Sequence, residues 1–279
     1  MYDAVVRPWY RYAQSHERLI FISDAPLAAV PFAALNDRTT GRFLMQRHVV
    51  SIAPSANVLM AAAARQRVLA PSRISALIVT PATSVTSAGA EVLLAASRVE
   101  AQGVAQQHRS PVLLDGAAAT REAFVARAAG ARVIHFGGHS VLDREAVPHL
   151  LFASGGALYA EDIRALHLDA TRLVVLAACD SGSDLAASDT QGISSLARAF
   201  LAAGVPTVVA SYWDVDDSAA GRLSRRLHTF LGRGYDPAAA LRLAQLQSLT
   251  SSDARSRNVS SWAPFVVIGQ TSAERGNEP

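Results

Sequence analysis

Short apolar runs separated by segments of helical length constrain the fold of this chain more than any other feature. Buried strands are predicted at residues 74–80, 132–136, 173–176 and 205–211. Helices are predicted at residues 91–107, 121–129, 192–203, 218–231 and 237–249. Strands that are apolar on both sides are typical of parallel sheets covered on both faces. The alternation therefore predicts an α/β fold with a mostly parallel central sheet and right-handed crossovers.

One of these strands leads directly to the only cysteine of the chain. Residues 173–182 read LVVLAACDSG, so Cys179 follows the apolar run after two alanines. In an open α/β sheet, the carboxyl ends of the strands present ligands and reacting groups. A lone cysteine is also commonly a small buried hydrophobic residue. This stretch alone therefore leaves a nucleophile and a structural cysteine as alternatives.

A second strand ends in a similar way and adds a histidine. Residues 132–140 read RVIHFGGHS, and His139 follows the apolar part of this run. A histidine and a cysteine at the ends of neighbouring parallel strands can come within hydrogen-bonding distance, although 40 residues separate them. Such a pair supplies a thiolate nucleophile and a general acid. The alternative for His139 is a structural histidine in a loop.

Five ordered motifs together resemble a known family, the CHAT domain. They are LIFISDAPLAAVPFAAL, VIHFGGHSVLD, LVVLAACDSG, GISSLARAFLAAGVPTVVASYWDVDD and WAPFVVIG. The CHAT domain is a caspase-like cysteine peptidase family that is also similar to separase, and the resemblance extends over residues 2–269. It implies a three-layer α/β/α sandwich of the caspase-like kind, with a mostly parallel central sheet and an N-terminal accessory portion.

The resemblance also assigns roles to individual residues. It implies that His139 and Cys179 are the catalytic dyad, and that the backbone N–H groups of Gly138, Ser140 and Cys179 form the oxyanion hole. Ser140 departs from the family pattern, since members often carry glycine directly after the histidine. Serine can still donate its backbone N–H, but it lacks the φ freedom of glycine.

Acidic residues follow the strand at residues 205–211. Asp214 and Asp217 belong to the run WDVDD, which resembles the stretch of separase that contributes to a pocket for a basic P1 side chain. Carboxylates bind arginine through two hydrogen bonds and lysine as a point charge. We expect Asp217 to be the main substrate-binding residue, with Asp214, Asp180 and Trp213 beside it. Capping of the next helix is the structural alternative for this acidic group.

The chain is expected to form one CHAT domain over residues 1–270. Within it, residues 1–82 are predicted to be the accessory portion and residues 90–270 the caspase-like catalytic portion, with a small polar loop at residues 81–90 between them. Residues 271–279 are predicted to be a disordered tail. Because this domain usually follows helical repeats in the family, the chain is expected to be the C-terminal piece of a longer protein.

Polar stretches and scattered arginines predict solvent-exposed regions. Residues 180–190 are predicted to form a flexible active-site loop, and residues 250–261 a mobile loop. Arg222, Arg225 and Arg226 are predicted to lie on a solvated helix face.

Composition and missing motifs exclude several classes of function. The formal net charge is only +3 and the arginines are not concentrated in a stripe, so no nucleic-acid partner is expected. The sequence has no apolar span of about 18 residues and no secretory leader, so no membrane partner is expected and a cytoplasmic location is predicted. No cofactor is expected, since the chain has neither a dinucleotide fingerprint after a strand nor a P-loop.

Two other enzyme classes fit the motifs less well. His135 and His139 could share one face as zinc ligands, but no further ligands stand at suitable spacing, so no metal is expected. A serine esterase built on Ser140 would need glycine two residues later, where the chain has Leu142.

The sequence thus predicts a cysteine endopeptidase that cleaves a protein substrate after arginine or lysine in a signalling or defence pathway. The resemblance implies a helical-repeat (TPR-like) region or an activator protein as a partner, and a gasdermin-like protein as a substrate. The alternative is a catalytically silent pseudopeptidase that acts as a scaffold for protein interactions.

Overall fold

A computed structural model describes residues 1–22, 27–68, 72–81, 83–85, 91–93, 95–142, 147–177, 189–213 and 215–270. The strands in this part of the chain are β1 Arg18–Ile22, β2 Asn36–Asp37, β3 Arg42–Phe43, β4 Val49–Ala53, β5 Ala76–Thr80, β6 Thr83–Val85, β7 Glu91–Leu93, β8 Pro111–Asp115, β9 Val133–Phe136, β10 His139–Leu142, β11 Pro148–Leu151, β12 Ala157–Tyr159, β13 Leu173–Leu176, β14 Thr207–Ser211 and β15 Phe265–Gly269. The helices are α1 Tyr2–Val5, α2 Arg7–Ala13, α3 Ala56–Arg67, α4 Ala95–Ala105, α5 Arg121–Ala128, α6 Ala160–Arg164, α7 Asp189–Ala202, α8 Asp217–Gly232, α9 Pro237–Leu249, α10 Ala254–Arg257 and α11 Val259–Trp262.

The main sheet has eight strands in the order β1-β4-β15-β14-β13-β9-β5-β8. Neighbouring strands pair in parallel throughout, except that β14 and β15 are antiparallel. Successive side chains of a strand point to opposite faces, so each apolar strand contributes to two cores. The predicted mostly parallel sheet is confirmed.

Helices cover both faces of this sheet. On one face, Ile134 and Phe136 of β9 join a core with residues of α5, α6 and α7. On the other face, Val133 joins a core with residues of α4, α8 and α9. This arrangement is the predicted three-layer α/β/α sandwich of the caspase-like kind.

The N-terminal part of the chain joins the same sheet through β1 and β4, because β15 pairs with β4. It also has an apolar core of its own around Tyr2, Phe32 and Leu44. A partly buried ion pair links the two parts, since Arg18 of β1 contacts the carboxylate of Asp236, the residue that caps α9.

Two glycines bring α4 and α8 close together. A Cβ added at Gly103 of α4 would lie 2.2 Å from Arg225 Cδ, and one added at Gly221 of α8 would lie 3.2 Å from Glu100 Cβ. A larger residue at Gly103 would displace the side chain of Arg225, and one at Gly221 would crowd Glu100. This close approach places Glu100 against the inner face of α8.

Several expectations about individual segments are wrong. The predicted helix at residues 91–107 begins later, because β7 pairs with β6 as a hairpin before α4 starts. Residues 250–261 contain α10 and α11 rather than a continuous loop, and Asp253 caps α10.

The predicted tail at residues 271–279 lies outside the described residues.

The three arginines of α8 do not form a solvated face. All three are half-buried. Arg222 and Arg226 bind α9 and the segment that follows it, whereas Arg225 packs over Gly103 of α4. Arg222 donates to Ser256 Oγ and pairs with Asp253 at 2.9 Å, and Arg226 donates to Ser248 Oγ. These contacts explain why α10 and α11 are ordered against α8.

No helix in the described part of the chain combines the length and the apolar character needed to cross a membrane.

Candidate active site

The candidate site lies where three adjacent strands end. Strands β9, β13 and β14 are neighbours in the sheet and run parallel, with Leu176 opposite Phe136. The pairing continues one residue beyond β13, since the Ala177 N–H donates to the carbonyl of Phe136 at 3.0 Å. The segments that follow these three strands therefore leave the sheet at one edge.

His139 is positioned by the turn that follows β9. Gly137 donates its N–H to the carbonyl of Val79 at 2.8 Å, which extends the pairing with β5 by one residue. His139 then begins β10 opposite Leu151 of β11, and it is 6% exposed. The histidine is therefore held by two sheets rather than in a free loop.

Gly138 allows this turn to pass close to its neighbours. A Cβ at this position would lie 2.8 Å from Phe136 Cε1 and 3.0 Å from Pro81 Cδ. The phenylalanine ring is fixed in the core, so it cannot move away cheaply. Glycine at position 138 is thus a steric requirement for placing His139.

Ser140 does not need the conformational freedom of glycine. It lies in β10 opposite Leu150, and Ser154 is the only non-glycine residue with positive φ in the described part of the chain. The departure from the family pattern at this position therefore causes no backbone strain.

Three of the predicted site residues lie outside the described residues. Cys179 is two residues beyond Ala177, the last described residue after β13, and Asp180 follows it. Asp214 is likewise outside, between Trp213 and the start of α8. Their predicted roles remain predictions.

Asp217 and Asp216 occupy the start of α8 but differ in what they contact. Asp216 is the N-cap of the helix, because its Oδ1 accepts hydrogen bonds from Ala219 N–H and from Ser218 Oγ. These bonds, led by the one from Ser218, lower the pKa of Asp216. The capping alternative is therefore correct for Asp216.

Asp217 is not the cap, and its carboxylate stays accessible to solvent. Desolvation by the protein around it still raises its pKa, and the negative charge of Asp216 and Glu100 adds to this effect, while His139 opposes it. Asp217 is thus an accessible carboxylate on the same edge of the sheet as the candidate histidine.

Trp213 lies at the rim of this region. Its side chain is 36% exposed, and its Nε1–H donates to the carbonyl of Ser260 at 3.2 Å. The indole is therefore held by α11 with part of its surface available to a ligand.

Sequence reasoning missed a group of buried polar residues behind the site. Glu100 of α4, His135 of β9 and His228 of α8 are almost completely buried and lie close to one another. Only His135 was considered from the sequence, as a zinc ligand. Within the described part of the chain, no group of three or more histidine, cysteine or acidic side chains could hold a metal ion.

Comparison with known proteins gives one family and one fold. The model of the CHAT domain matches residues 1–270. Human tetratricopeptide repeat protein 28 is 31% identical over 132 residues, which are 47% of this chain and 5% of that protein. The chain therefore spans only a small part of this relative.

Two groups of solved structures share the fold. The Arg-specific cysteine proteinase gingipain R has a TM-score of 0.61 at 11% identity, covering 97% of this chain and 67% of gingipain. The separase of Saccharomyces cerevisiae, solved with securin, has a TM-score of 0.56 at 15% identity, covering 87% of this chain and 14% of separase. At these identities the likeness concerns the caspase-like fold.

Proposed function

Because this chain belongs to the CHAT domain family, we propose that it is a cysteine endopeptidase with His139 and Cys179 as its catalytic dyad. The observation that supports this proposal most is the adjacency of β9 and β13, with Leu176 in register with Phe136. His139 stands three residues beyond one strand and Cys179 three residues beyond the other. Equal lengths beyond two paired strands favour a short distance between the two side chains.

The reaction follows from these two groups. The Cys179 thiolate attacks the carbonyl carbon of the scissile bond, and the carbonyl oxygen takes up the negative charge. The tetrahedral intermediate then collapses to a thioester, while His139 gives a proton to the departing amine. Water hydrolyses the thioester to the carboxylic acid and restores the thiol.

The oxyanion hole in this proposal consists of backbone N–H groups from Gly138, Ser140 and Cys179. Such donors accelerate acyl transfer because they are already oriented toward the oxygen that gains charge. The steric confinement of Gly138 supports this role, since a turn without freedom to relax holds its N–H groups in one direction.

We assign the preference for a basic P1 side chain mainly to Asp217. Its carboxylate is accessible, is not used to cap α8, and lies within electrostatic reach of His139. Asp214, Asp180 and Trp213 follow strands that end at the same edge, and we include them in the same pocket. Gingipain R, which shares the fold, is described as Arg-specific.

The biological role that we propose is cleavage of a protein substrate in signalling or defence. The human relative is named for tetratricopeptide repeats, and the separase structure contains the partner protein securin. These relatives support a helical-repeat region or an activator protein as the partner of this domain. A gasdermin-like protein is the substrate class that we would test first.

Active-site labelling tests the nucleophile and the pocket together. The protein is incubated with acyloxymethyl ketone peptides that end in Arg, Lys, Asp or Leu, and intact mass spectrometry measures the adduct. We expect the Arg and Lys peptides to label the wild-type protein, and Cys179→Ala and His139→Ala to remain unlabelled.

Asp216→Asn is the matched control for the pocket. Asparagine caps a helix as well as aspartate does, so this variant removes a neighbouring charge without changing the fold. Asp217→Asn should lose the preference for basic peptides, whereas Asp216→Asn should keep it. Labelling that prefers Asp or Leu would exclude the basic pocket, and failure of every peptide would favour the scaffold alternative.

A further inference from the structure

Three histidines and a glutamate form a continuous chain of polar contacts behind the candidate site. His108 Nε2 lies 3.0 Å from His228 Nδ1, and His228 Nε2 lies 3.2 Å from His135 Nδ1. His135 Nε2 lies 3.2 Å from Glu100 Oε1. His228 and His135 each use their two nitrogens for two different neighbours. Ligands of one metal ion would instead converge on a single point.

The chain leads from the surface into the core. His108 is half-buried beyond the end of α4, whereas His228 and His135 are completely buried and Glu100 is 4% exposed. Among the described residues, Glu100 Oε1 and His135 Nε2 have no other polar partner. A buried carboxylate without a partner is costly, so this contact accounts for how the charge of Glu100 is tolerated.

If all three rings are neutral, only one set of histidine tautomers fits an ionised Glu100. A carboxylate accepts hydrogen bonds, so His135 must carry its proton on Nε2, and its Nδ1 must then accept. His228 must therefore donate from Nε2 and accept at Nδ1. By the same reasoning, His108 donates from Nε2, and all three neutral rings are oriented toward Glu100.

A second consistent state differs from the first by one proton. If His108 takes up a proton at Nδ1, its Nε2 proton can pass to His228 Nδ1, and the following two Nε2 protons can pass along in the same way. The last proton arrives on Glu100, which becomes neutral, and all three rings now carry their proton on Nδ1. No imidazolium is present in either end state. Burial is the main cause that lowers the pKa of His228 and of His108, and a positive charge on His135 would lower both further.

We propose that His108, His228 and His135 are a proton relay that connects the buried carboxyl group of Glu100 to the protein surface. The relay couples the charge of Glu100 to proton uptake at His108, while only 5% of the Glu100 side chain is itself exposed.

Glu100 can act on the candidate site because it packs one helical turn from Asp217. The Cβ that Gly221 lacks would lie 3.6 Å from Glu100 Oε2, and Gly221 follows Asp217 by four residues on the same face of α8. The charge of Glu100 contributes to the raised pKa of Asp217. An ionised Glu100 therefore adds negative potential where we place the basic P1 side chain. This effect on substrate depends on the proposed function, whereas the relay does not.

The charged groups around the relay are few in the described part of the chain. Asp217 and Arg225 face it from α8, with Arg225 packed over Gly103, and His139 acts on Asp217 from β10. The strands on either side of β9 contribute only uncharged residues. Ser224 Oγ of α8 is buried and has no hydrogen-bond partner among the described residues.

Nitrogen NMR of the histidine rings tests the relay without any substrate. Long-range ¹H–¹⁵N spectra of protein labelled with ¹⁵N-histidine distinguish Nδ1–H from Nε2–H tautomers, and single His→Gln variants assign the signals. At alkaline pH we expect His108, His228 and His135 all to carry the proton on Nε2. On acidification we expect the three rings to change to Nδ1–H together, at one pH.

Glu100→Gln is the informative variant, because the amide is of the same size but does not titrate. We expect the joint tautomer change to disappear in Glu100→Gln and to persist in Glu122→Gln, which alters an exposed glutamate of α5. Mixed tautomers in the wild-type protein at alkaline pH would overturn the relay even if Glu100→Gln did not fold. An unchanged joint transition in folded Glu100→Gln would also overturn it. Neither outcome depends on peptidase activity, so a failure of the relay and a failure of the proposed function are distinguishable.

Discussion

Asp216 and Asp217 are neighbours in sequence, and the structure gives them opposite environments. The pKa of Asp216 is lowered by hydrogen bonds from the helix that it caps, whereas the pKa of Asp217 is raised by desolvation. The carboxylate of Asp216 is used to cap α8, and that of Asp217 is available to a ligand. The sequence pattern alone therefore does not distinguish Asp217 from Asp216 as the substrate-binding residue, whereas their local contacts do.

The raised pKa of Asp217 predicts how substrate preference depends on pH. As the pH falls through this raised pKa, the carboxylate takes up a proton and loses its attraction for arginine. The preference for an Arg peptide over a Leu peptide should therefore decline at a higher pH than for an ordinary exposed aspartate. The ratio of the two labelling rates measures this effect, because changes in Cys179 and His139 affect both peptides equally.

The size of the preference follows from the strength of a hydrogen bond to a charged group. Such a bond is worth about 1.5–3 kcal/mol, which corresponds to roughly 10- to 100-fold in rate. Asp217→Asn should reduce the Arg-to-Leu ratio by this factor at neutral pH. A ratio that stays the same in Asp217→Asn would assign the preference to another residue.

Gly138 is predicted to tolerate no side chain. Gly138→Ala would place a Cβ 2.8 Å from Phe136 Cε1, and overpacking of this kind costs about 1–3 kcal/mol. Gly137→Ala is the control, since its nearest neighbour would be His135 Nε2 at 3.4 Å. Urea unfolding should show a clear loss of stability for Gly138→Ala and a much smaller one for Gly137→Ala. Equal losses would mean that the turn can relax.

At the level of elements, the start of α9 connects the N-terminal strands to the helical layer. Asp236 accepts hydrogen bonds from Ala238 N–H and Ala239 N–H, and the same carboxylate pairs with Arg18 of β1. Asp236 is 6% exposed, so its removal would take a buried carboxylate away from the guanidinium of Arg18 and leave the helix without its cap.

Asp236→Ala should therefore lower the free energy of unfolding by about 2–4 kcal/mol. Asp169→Ala is the control, because Asp169 forms an ion pair with Arg65 at the surface. The side chain of Asp169 is 59% exposed and that of Arg65 is 49% exposed. Exposed pairs of this kind contribute less than about 1 kcal/mol to stability. Chemical denaturation measures both variants. A loss below about 1 kcal/mol for Asp236→Ala would show that the connection is weak.

At the level of the whole molecule, the sheet is continuous from β1 to β8. Strand β15 lies between β14 and β4, so it joins the N-terminal strands to the strands of the candidate site. The two portions predicted at residues 1–82 and 90–270 therefore share one sheet.

A shared sheet predicts that the two portions unfold together. Hydrogen exchange measured over a urea series should show β4 and β13 losing protection at the same urea concentration. Exchange of β1 at low urea would be explained by its position at the sheet edge. Loss of protection throughout β4 well before β13 would contradict the prediction and would favour two separate units.

Much of the local structure could be predicted from the sequence, because the responsible interactions are between near neighbours. Apolar runs identified β5, β9, β13 and β14 to within about two residues. Ser55 and Thr120 are of the residue types that favour N-caps, and each caps its helix by accepting a hydrogen bond from the N–H three residues later. The strands and the caps depend on side-chain periodicity and local hydrogen bonding, which a single segment expresses by itself. The caspase-like architecture was instead implied by the resemblance of the five motifs to the CHAT domain.

The tertiary structure alone decided which distant segments meet. Residues 18 and 236 form an ion pair across 218 positions of sequence, and the histidine relay draws His108, His135 and His228 from separate segments. Periodicity states which way a side chain points from its own helix or strand, but not what lies opposite it. Which side chains meet is decided by how the layers of the fold pack against each other. Here Gly103 and Gly221 let α4 and α8 approach closely.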